Sequence, residues 1–529
     1  MAKTQSSIKT VIFLLLLTLL GGSLGFGAFF YLKSTRPTSP NFDDAFSLAD
    51  QRYKEARDLE TDGEITLARL KYTQARELFE RQGNQTKLNL ANEGIARTIA
   101  LARDYSLDGN ALNNLFNEKI AGYRSNELPN WEIKGQVDFR FIDGQKRYFI
   151  QSLENLALQN PTVAGRISGW LSQRAALAGN YTPYALAPDL GYPLQPYRNP
   201  TSFLVRSRLV VETTKLPAYQ VVRSWFPYPV NTPVQSGTLL SLQPLDAIKF
   251  PPQVEGEVGI AYTELKNMLR GPLTIDLEYQ VQTREINKKI DPQWVGSYDP
   301  ASELFQRYTR SEAHLEQSDP MKKTASDIVG DEKNPALKAR LIYNWIGENI
   351  ILQNVSYPLV TGASASHYAL EKHRGDGLLM AYLFTDLCRC QGIPARVVAG
   401  YRLVPGSEAP IGWAEFYLPN YGWIPVDPGT AQTVCLSNTL TSVDKQRVKD
   451  YYFSNLDPLR VSFNQTSMAP LTPAKPSERS FSLMLLTPEL ECGGSNVSVD
   501  NLQYTLSATR QEPAPAVQPA QPSAPPPKP

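Results

Sequence analysis

The chain has 529 residues, 42% of them hydrophobic, enough for about three domains with apolar cores of their own. Its 53 Lys and Arg against 52 Asp and Glu leave a formal net charge of +1, which gives no basic surface for nucleic acid. The four cysteines and three histidines show no metal-ligand or disulfide-framework spacing, so neither a metal nor a cofactor is expected.

After a short flank (residues 1–10), residues 11–32 carry no charge over twenty-two positions, about 33 Å as a helix and enough to cross a bilayer. The apolar run continues past a weak cleavage signal at Ser23 and Gly25, so it reads as an uncleaved single-pass transmembrane anchor. The flanking charges do not fix its orientation, because Lys3 and Lys9 are matched by Lys33 and Arg36. A Pro/Ser linker occupies residues 33–42.

Residues 43–125 read as a helical domain. Ala56, Gly63, Ala68, Tyr72 and Ala75 have the spacing of one tetratricopeptide-like helix pair turning at Asp62-Gly63, with a third helix near 86–104. The pattern does not recur, which favours a lone hairpin packed on its own chain over a concave array with a peptide groove. Residues 126–201 form a connector. Val137, Phe139 and Phe141 alternate with Asp138 and Arg140 before Asp143-Gly144, a hairpin pattern. An amphipathic helix near 152–177 and a Pro/Gly/Tyr-rich boundary loop over 178–201 follow.

Strand-like runs begin at Phe203, Tyr219 and Leu273 in an expected β-domain over residues 202–298. The core, residues 299–470, contains a helix starting at Asn334-Pro335 with Leu337, Leu341, Ile342 and Trp345 as its apolar stripe. A second helix opens at Gly377, points Leu379, Tyr382, Leu383 and Leu387 inward, and stops at Gly392 before Pro394. Ala395–Arg402, Trp413–Leu418 and Trp423–Val426 read as strands of a small antiparallel sheet. Residues 471–510 suggest a closing strand or two, and 511–529, with eight prolines, an extended disordered tail.

The runs Gly375-Asp376-Gly377, Arg389-Cys390-Gln391-Gly392-Ile393-Pro394-Ala395-Arg396, Ile411-Gly412-Trp413 and Asp427-Pro428 carry the chemistry. In order and spacing they resemble the core of the transglutaminase-like superfamily, with its Gly-x-Cys, Arg-x-x-Gly-Ile-Pro-Ala-Arg, His-x-Trp and Asp-Pro. Trp225-Phe226-Pro227-Tyr228-Pro229 is similar to a strand of the β-sandwich that precedes many bacterial members. The resemblance implies an α+β chain: a papain-like core behind a β-sandwich and an N-terminal helical domain, with a single transmembrane helix. It also implies an extracytoplasmic bulk, as membrane-anchored bacterial relatives have. Cys388 falls where the family often has a buried, inert cysteine; Cys435 with Cys492 is a pairing open in an oxidising compartment.

On this pattern Gly377 stands at the nucleophile position and Ile411 at the base position, while Asp427 is kept. A thiolate needs a neighbouring imidazole and a residue to orient it; Gly377 has no side chain to attack with, and Ile411 accepts no proton. Nothing nearby substitutes. Cys388 lies roughly 16 Å down the helix axis, His314 reads as part of an upstream helix, and His367 and His373 precede the Gly377 helix. The vestigial cleft is expected to be lined by Asp376, Leu378, Trp413, Glu415 and Trp423. Its helix N-terminus still offers free N–H groups to a peptide or a carboxylate-bearing ligand.

The sequence therefore predicts a membrane-anchored, catalytically inactive transglutaminase-like protein, a pseudoenzyme that binds a peptide or cell-envelope polymer or acts as a scaffold. The alternative is a cysteine-independent amide hydrolase or acyl transferase, for which Asp376, Glu415 and Asp427 would have to converge. The helical domain or the tail offers a third route, docking of a protein partner.

Overall fold

The computed structural model describes residues 42–188, 196–268, 271–475, 483–497 and 501–512. The expected anchor at 11–32 and the Pro-rich tail from residue 513 lie outside the described residues, and among those no helix is long and apolar enough to cross a membrane. The chain divides into two compact units, residues 1–95 and 96–529.

In the first unit, helices Phe42–Thr61 and Ile65–Arg81 form a hairpin. It turns at Gly63, whose φ of +85° is the left-handed conformation that costs glycine least. Small residues let the helices approach. Ala56, Ala68 and Tyr72 form one buried cluster, and Ala49, Ala75, Phe79 and Ala91 a second. Ala91 and Gly94 belong to the third helix, Gln85–Asp104, and Gly94 lies flat against the fully buried ring of Tyr72.

The second unit contains the hairpin Phe139–Ile142 and Gln145–Tyr148, turning on Asp143 and Gly144, both with positive φ. Where one amphipathic helix was expected over 152–177 there are three segments: Ser152–Gln159, Pro161–Ala164 and Trp170–Ala185. Asn160 caps the second by accepting from Val163 N at 3.2 Å, Pro161 cannot continue the first, and Gly169 turns the chain at φ +76°. The third segment then runs through the expected boundary loop to Ala185, because Leu177, Ala178 and Tyr181 pack into the neighbouring core.

Two antiparallel sheets follow. Strands Tyr197–Val211 and Leu273–Asn287 form the middle of the larger, and Val221–Pro227 lies between Ile260–Lys266 and Glu489–Cys492 in the smaller. Alternation sets their faces: Phe203, Val205, Leu209 and Val211 are buried, whereas Arg206 and Arg208 face solvent. The Trp225 segment is internal, its ring buried and its indole N–H donating to Pro473 O at 2.8 Å. The C-terminal strands complete the two sheets, Leu502–Gln511 pairing with Tyr197–Val211 and Glu489–Cys492 with Val221–Pro227.

In the remaining part, the helix Gly377–Cys390 packs on a four-stranded sheet ordered Gly422–Val426, Ala409–Leu418, Ala395–Arg402, Arg460–Asn464. Every residue from Leu378 to Arg389 is buried, because helices Asp319–Val329, Pro335–Asn349 and Ala365–Lys372 cover what the sheet does not. At about 1.5–3 kcal/mol per large apolar side chain, residues such as Leu379, Leu383, Phe384 and Leu387 make this helix the centre of the fold. Asn334 caps Pro335–Asn349, accepting from Ala336 N at 2.9 Å. The buried face of that helix is Ala336, Ala339, Ile342, Tyr343 and Ile346, rather than the stripe containing Leu337 and Leu341, each 39% exposed.

Candidate functional site

The helix Gly377–Cys390 begins at a cavity of about 650 Å³. Asp376 caps the helix, one carboxylate oxygen accepting from Leu379 N at 3.0 Å and the other from the Tyr357 hydroxyl at 2.8 Å. Burial pushes this carboxyl above its usual range, and the two hydrogen bonds offset part of that effect. Three glycines form the floor. A Cβ at Gly377 would lie 3.4 Å from Gly412 O and 3.5 Å from Gly429 Cα, ordinary contact distances, so a side chain there has room. A Cβ at Gly429 would lie 2.4 Å from Gly377 Cα, and one at Gly412 2.5 Å from the Leu378 side chain. Those two glycines are required by backbone approach.

Ile411 lines the cavity from the strand Ala409–Leu418, opposite Gly400, and packs on the larger core. Asp427 does not line it. This residue is 1% exposed, caps the helix Pro428–Cys435 by accepting from Thr430 N at 2.7 Å, and accepts from Arg460 Nη1 at 2.6 Å. Arg460 also binds Asp457, and its guanidinium lies 5.2 Å from the centre of the Trp413 ring. Burial works against the Arg460 charge, but Asp457 and Asp427 outweigh it and hold the pKa above the ordinary value.

Of the expected lining residues, Asp376 and Leu378 are at the cavity, as are Gly377 and Ile411; Trp413, Glu415 and Trp423 are not. Trp413 and Glu415 follow Ile411 by two and four residues, about 7 and 13 Å along its strand. There Trp413 is buried under Arg460, and Glu415 accepts from Arg396 at 2.6 and 2.8 Å. Trp423 lies between Arg396, 4.2 Å from its ring centre, and the edge of Tyr308, 4.8 Å away. Asp376, Glu415 and Asp427 thus each have separate partners and do not converge.

Among the described residues, neither a thiol nor an imidazole lines the cavity. Cys388, Cys390, Cys435 and Cys492 are all free, so the pairing open to Cys435 and Cys492 is not formed. Burial pushes the thiols up, that of Cys390 to about 12. His314 is not helical as expected; it has φ +67° in the turn between Glu312 and Leu315, and burial lowers its pKa. His367 faces Glu371 at 3.9 Å, and His373 ends its helix beside Trp345.

Sequence reasoning missed Arg174, Arg402 and the segment Leu483–Thr487, which also line the cavity. Arg402 was readable only as the end of a strand, and Arg174 only as part of an amphipathic stretch.

A cavity at the N-terminus of a buried helix, walled by an antiparallel sheet and with an Asp-Pro helix start at its edge, defines a papain-like α+β core. The model of the transglutaminase-like superfamily matches residues 322–428, so the chain carries a transglutaminase-like domain. An uncharacterized protein of Haemophilus influenzae is 28% identical over 199 residues, 32% of this chain and 53% of that protein, so the chain spans about half the length of this relative. Among solved structures, a candidate cysteine protease from Cytophaga hutchinsonii aligns at 16% identity and a TM-score of 0.39, covering 60% of this chain and 94% of that one. The periplasmic domain of TgpA from Pseudomonas aeruginosa aligns at 16% identity and a TM-score of 0.24, covering 49% and 99%.

Proposed function

We propose that this transglutaminase-like domain is a pseudoenzyme that holds a peptide or cell-envelope polymer in its cleft without cleaving it, tethered outside the cytoplasm by residues 11–32. The observation that carries the reading is the chemistry at three positions: Gly377 offers no nucleophile, Ile411 no base, and Asp427 is engaged by Arg460 rather than free to orient an imidazole. Loss of one triad member alone removes several orders of magnitude of rate. The enzymatic alternative through Asp376 and Asp427 lacks support, since the first is tied to Leu379 and Tyr357 and the second to Thr430 and Arg460.

The test is turnover of peptide amides by the full chain, beside a Gly377→Cys, Ile411→His double variant, with peptidoglycan fragments and tripeptides offered as ligands in a thermal-shift assay. Stabilisation by ligand without turnover by the wild-type chain is expected. Amine release by the wild-type chain would overturn the reading, and so would the absence of a thermal shift with every ligand.

A further inference from the structure

Among the described residues, the arginines whose charges are most deeply buried sit on carboxylates. Arg389 has Glu312 at 2.8 Å, Arg396 has Glu415 at 2.6 Å, and Arg460 has Asp427 at 2.6 Å. Arg174 and Arg402 depart from that pattern. Both are half-buried, both line the cavity at Gly377, and among the described residues neither has a carboxylate within 4.0 Å.

Arg174 projects from the helix Trp170–Ala185 with its guanidinium stacked 4.4 Å from the centre of the Trp170 ring. Arg402, the last residue of the strand Ala395–Arg402, is oriented by its Nε donating to Ser407 O at 2.6 Å, and among the described residues its Nη groups make no hydrogen bond. Each charge opposes the other: burial lowers the pKa of Arg174 and Arg402 lowers it further, against a smaller opposite effect from the exposed Glu154. Glu154 lines the same cavity but lies beyond 4.0 Å, so two cations facing one cavity remain available to a shared anion, and the guanidinium fork matches a carboxylate bidentately. Leu378, Ile411 and Met484 supply apolar wall beside them, suited to an uncharged peptide stem.

We infer that Arg174 and Arg402 form a carboxylate-recognition site in the cleft, so that the ligand is a short peptide presenting a carboxylate to these two residues. The inference rests on the reading of the cleft as a peptide-binding site. It adds which end of the ligand is read, and by which residues.

The carboxylate has two sources, a free C-terminus or an acidic side chain. Titrating the full chain with mixed-sequence tripeptides as free acids, as C-terminal amides, and as amides containing one Glu separates them. The acids are expected to bind about tenfold more tightly than the plain amides where a C-terminus is read, and the Glu-containing amides alone to do so where a side chain is read. Arg174→Gln and Arg402→Gln are each expected to remove that preference, with unliganded melting temperatures checking that the variants fold. Equal binding of acids, plain amides and Glu-containing amides by the wild-type chain, which needs no variant, overturns the inference and leaves the peptide-binding reading standing. No binding of any tripeptide overturns both.

Discussion

Arg460 donates to Asp427 across 2.6 Å, and the two residues come from elements 33 positions apart in the chain. Asp427 fixes a buried cation. Asp427 also caps the helix Pro428–Cys435, so the pair ties the strand Arg460–Asn464 to the helix start that places Gly429 against Gly377. Retention of this Asp therefore has a structural reason that is independent of catalysis.

Replacing Arg460 with Met removes the charge but leaves Asp427 and Asp457 buried, 1% exposed each, with no cation between them. Breaking a buried pair in this way costs about 3–5 kcal/mol. The urea midpoint of Arg460→Met against the wild-type chain checks this, and a difference below about 1 kcal/mol would refute the structural reading of Asp427.

The glycine floor makes a second, position-specific expectation. Gly377→Ala meets only ordinary contacts at 3.4 and 3.5 Å in the first turn of a helix, so it should be neutral or stabilising by up to about 1 kcal/mol. Gly412→Ala would set a Cβ 2.7 Å from Leu378 Cα, a clash with backbone, and should destabilise by about 1–3 kcal/mol or more. Parallel thermal melts of the two variants decide it; equal loss in both would contradict the geometry.

The parts of this fold legible in the sequence are those set by local chemistry. Gly377 opens a helix, Gly392 and Pro394 end it, and Asp143-Gly144 marks a hairpin; each is found there. What was not legible depends on contacts distant in sequence. The strand Leu502–Gln511 has no local mark of its partner Tyr197–Val211, and Arg174 and Arg402 meet at one cavity only through the fold. Trp413, Glu415 and Trp423 were misplaced because proximity in the motif is not proximity to the cleft: a strand carries each second residue about 7 Å further away.

Two helical glycines should respond with opposite sign to the same change. Gly347, in the helix Pro335–Asn349, has nothing within 4 Å of the place an added Cβ would take, so Gly347→Ala should gain about 0.5–1 kcal/mol from helix propensity. Gly94 lies against Tyr72, whose ring atoms would be 2.5 Å from an added Cβ, so Gly94→Ala should lose about 1–3 kcal/mol despite the same propensity gain. Circular-dichroism melts of each variant provide the comparison, and stabilisation by Gly94→Ala would show that the Tyr72 contact does not constrain the helical hairpin.

Asp386 gives the chain a pH dependence whose sign runs opposite to that of a salt-bridged acid. It lies at the centre of the core helix, 1% exposed, accepting from Ser366 Oγ at 2.6 Å and from Gln317 N at 3.2 Å. Burial raises its pKa from 3.8 to about 6, more than these hydrogen bonds lower it. The folded state thus holds a proton through a pH window in which the unfolded chain has released it, so stability falls as pH rises from 3.8 to about 6. Asp376, raised by the same cause at the start of that helix, adds to the slope. At about 1.4 kcal/mol per pH unit, Asp386 accounts for a loss of up to about 3 kcal/mol that is complete above the window. Asp386→Asn carries no such penalty and should match the wild-type chain near pH 4 but exceed it near pH 7.5, as read from urea midpoints across that range. A variant less stable than wild type at both pH values would mean that the ionised carboxylate contributes net stability through Ser366 and Gln317.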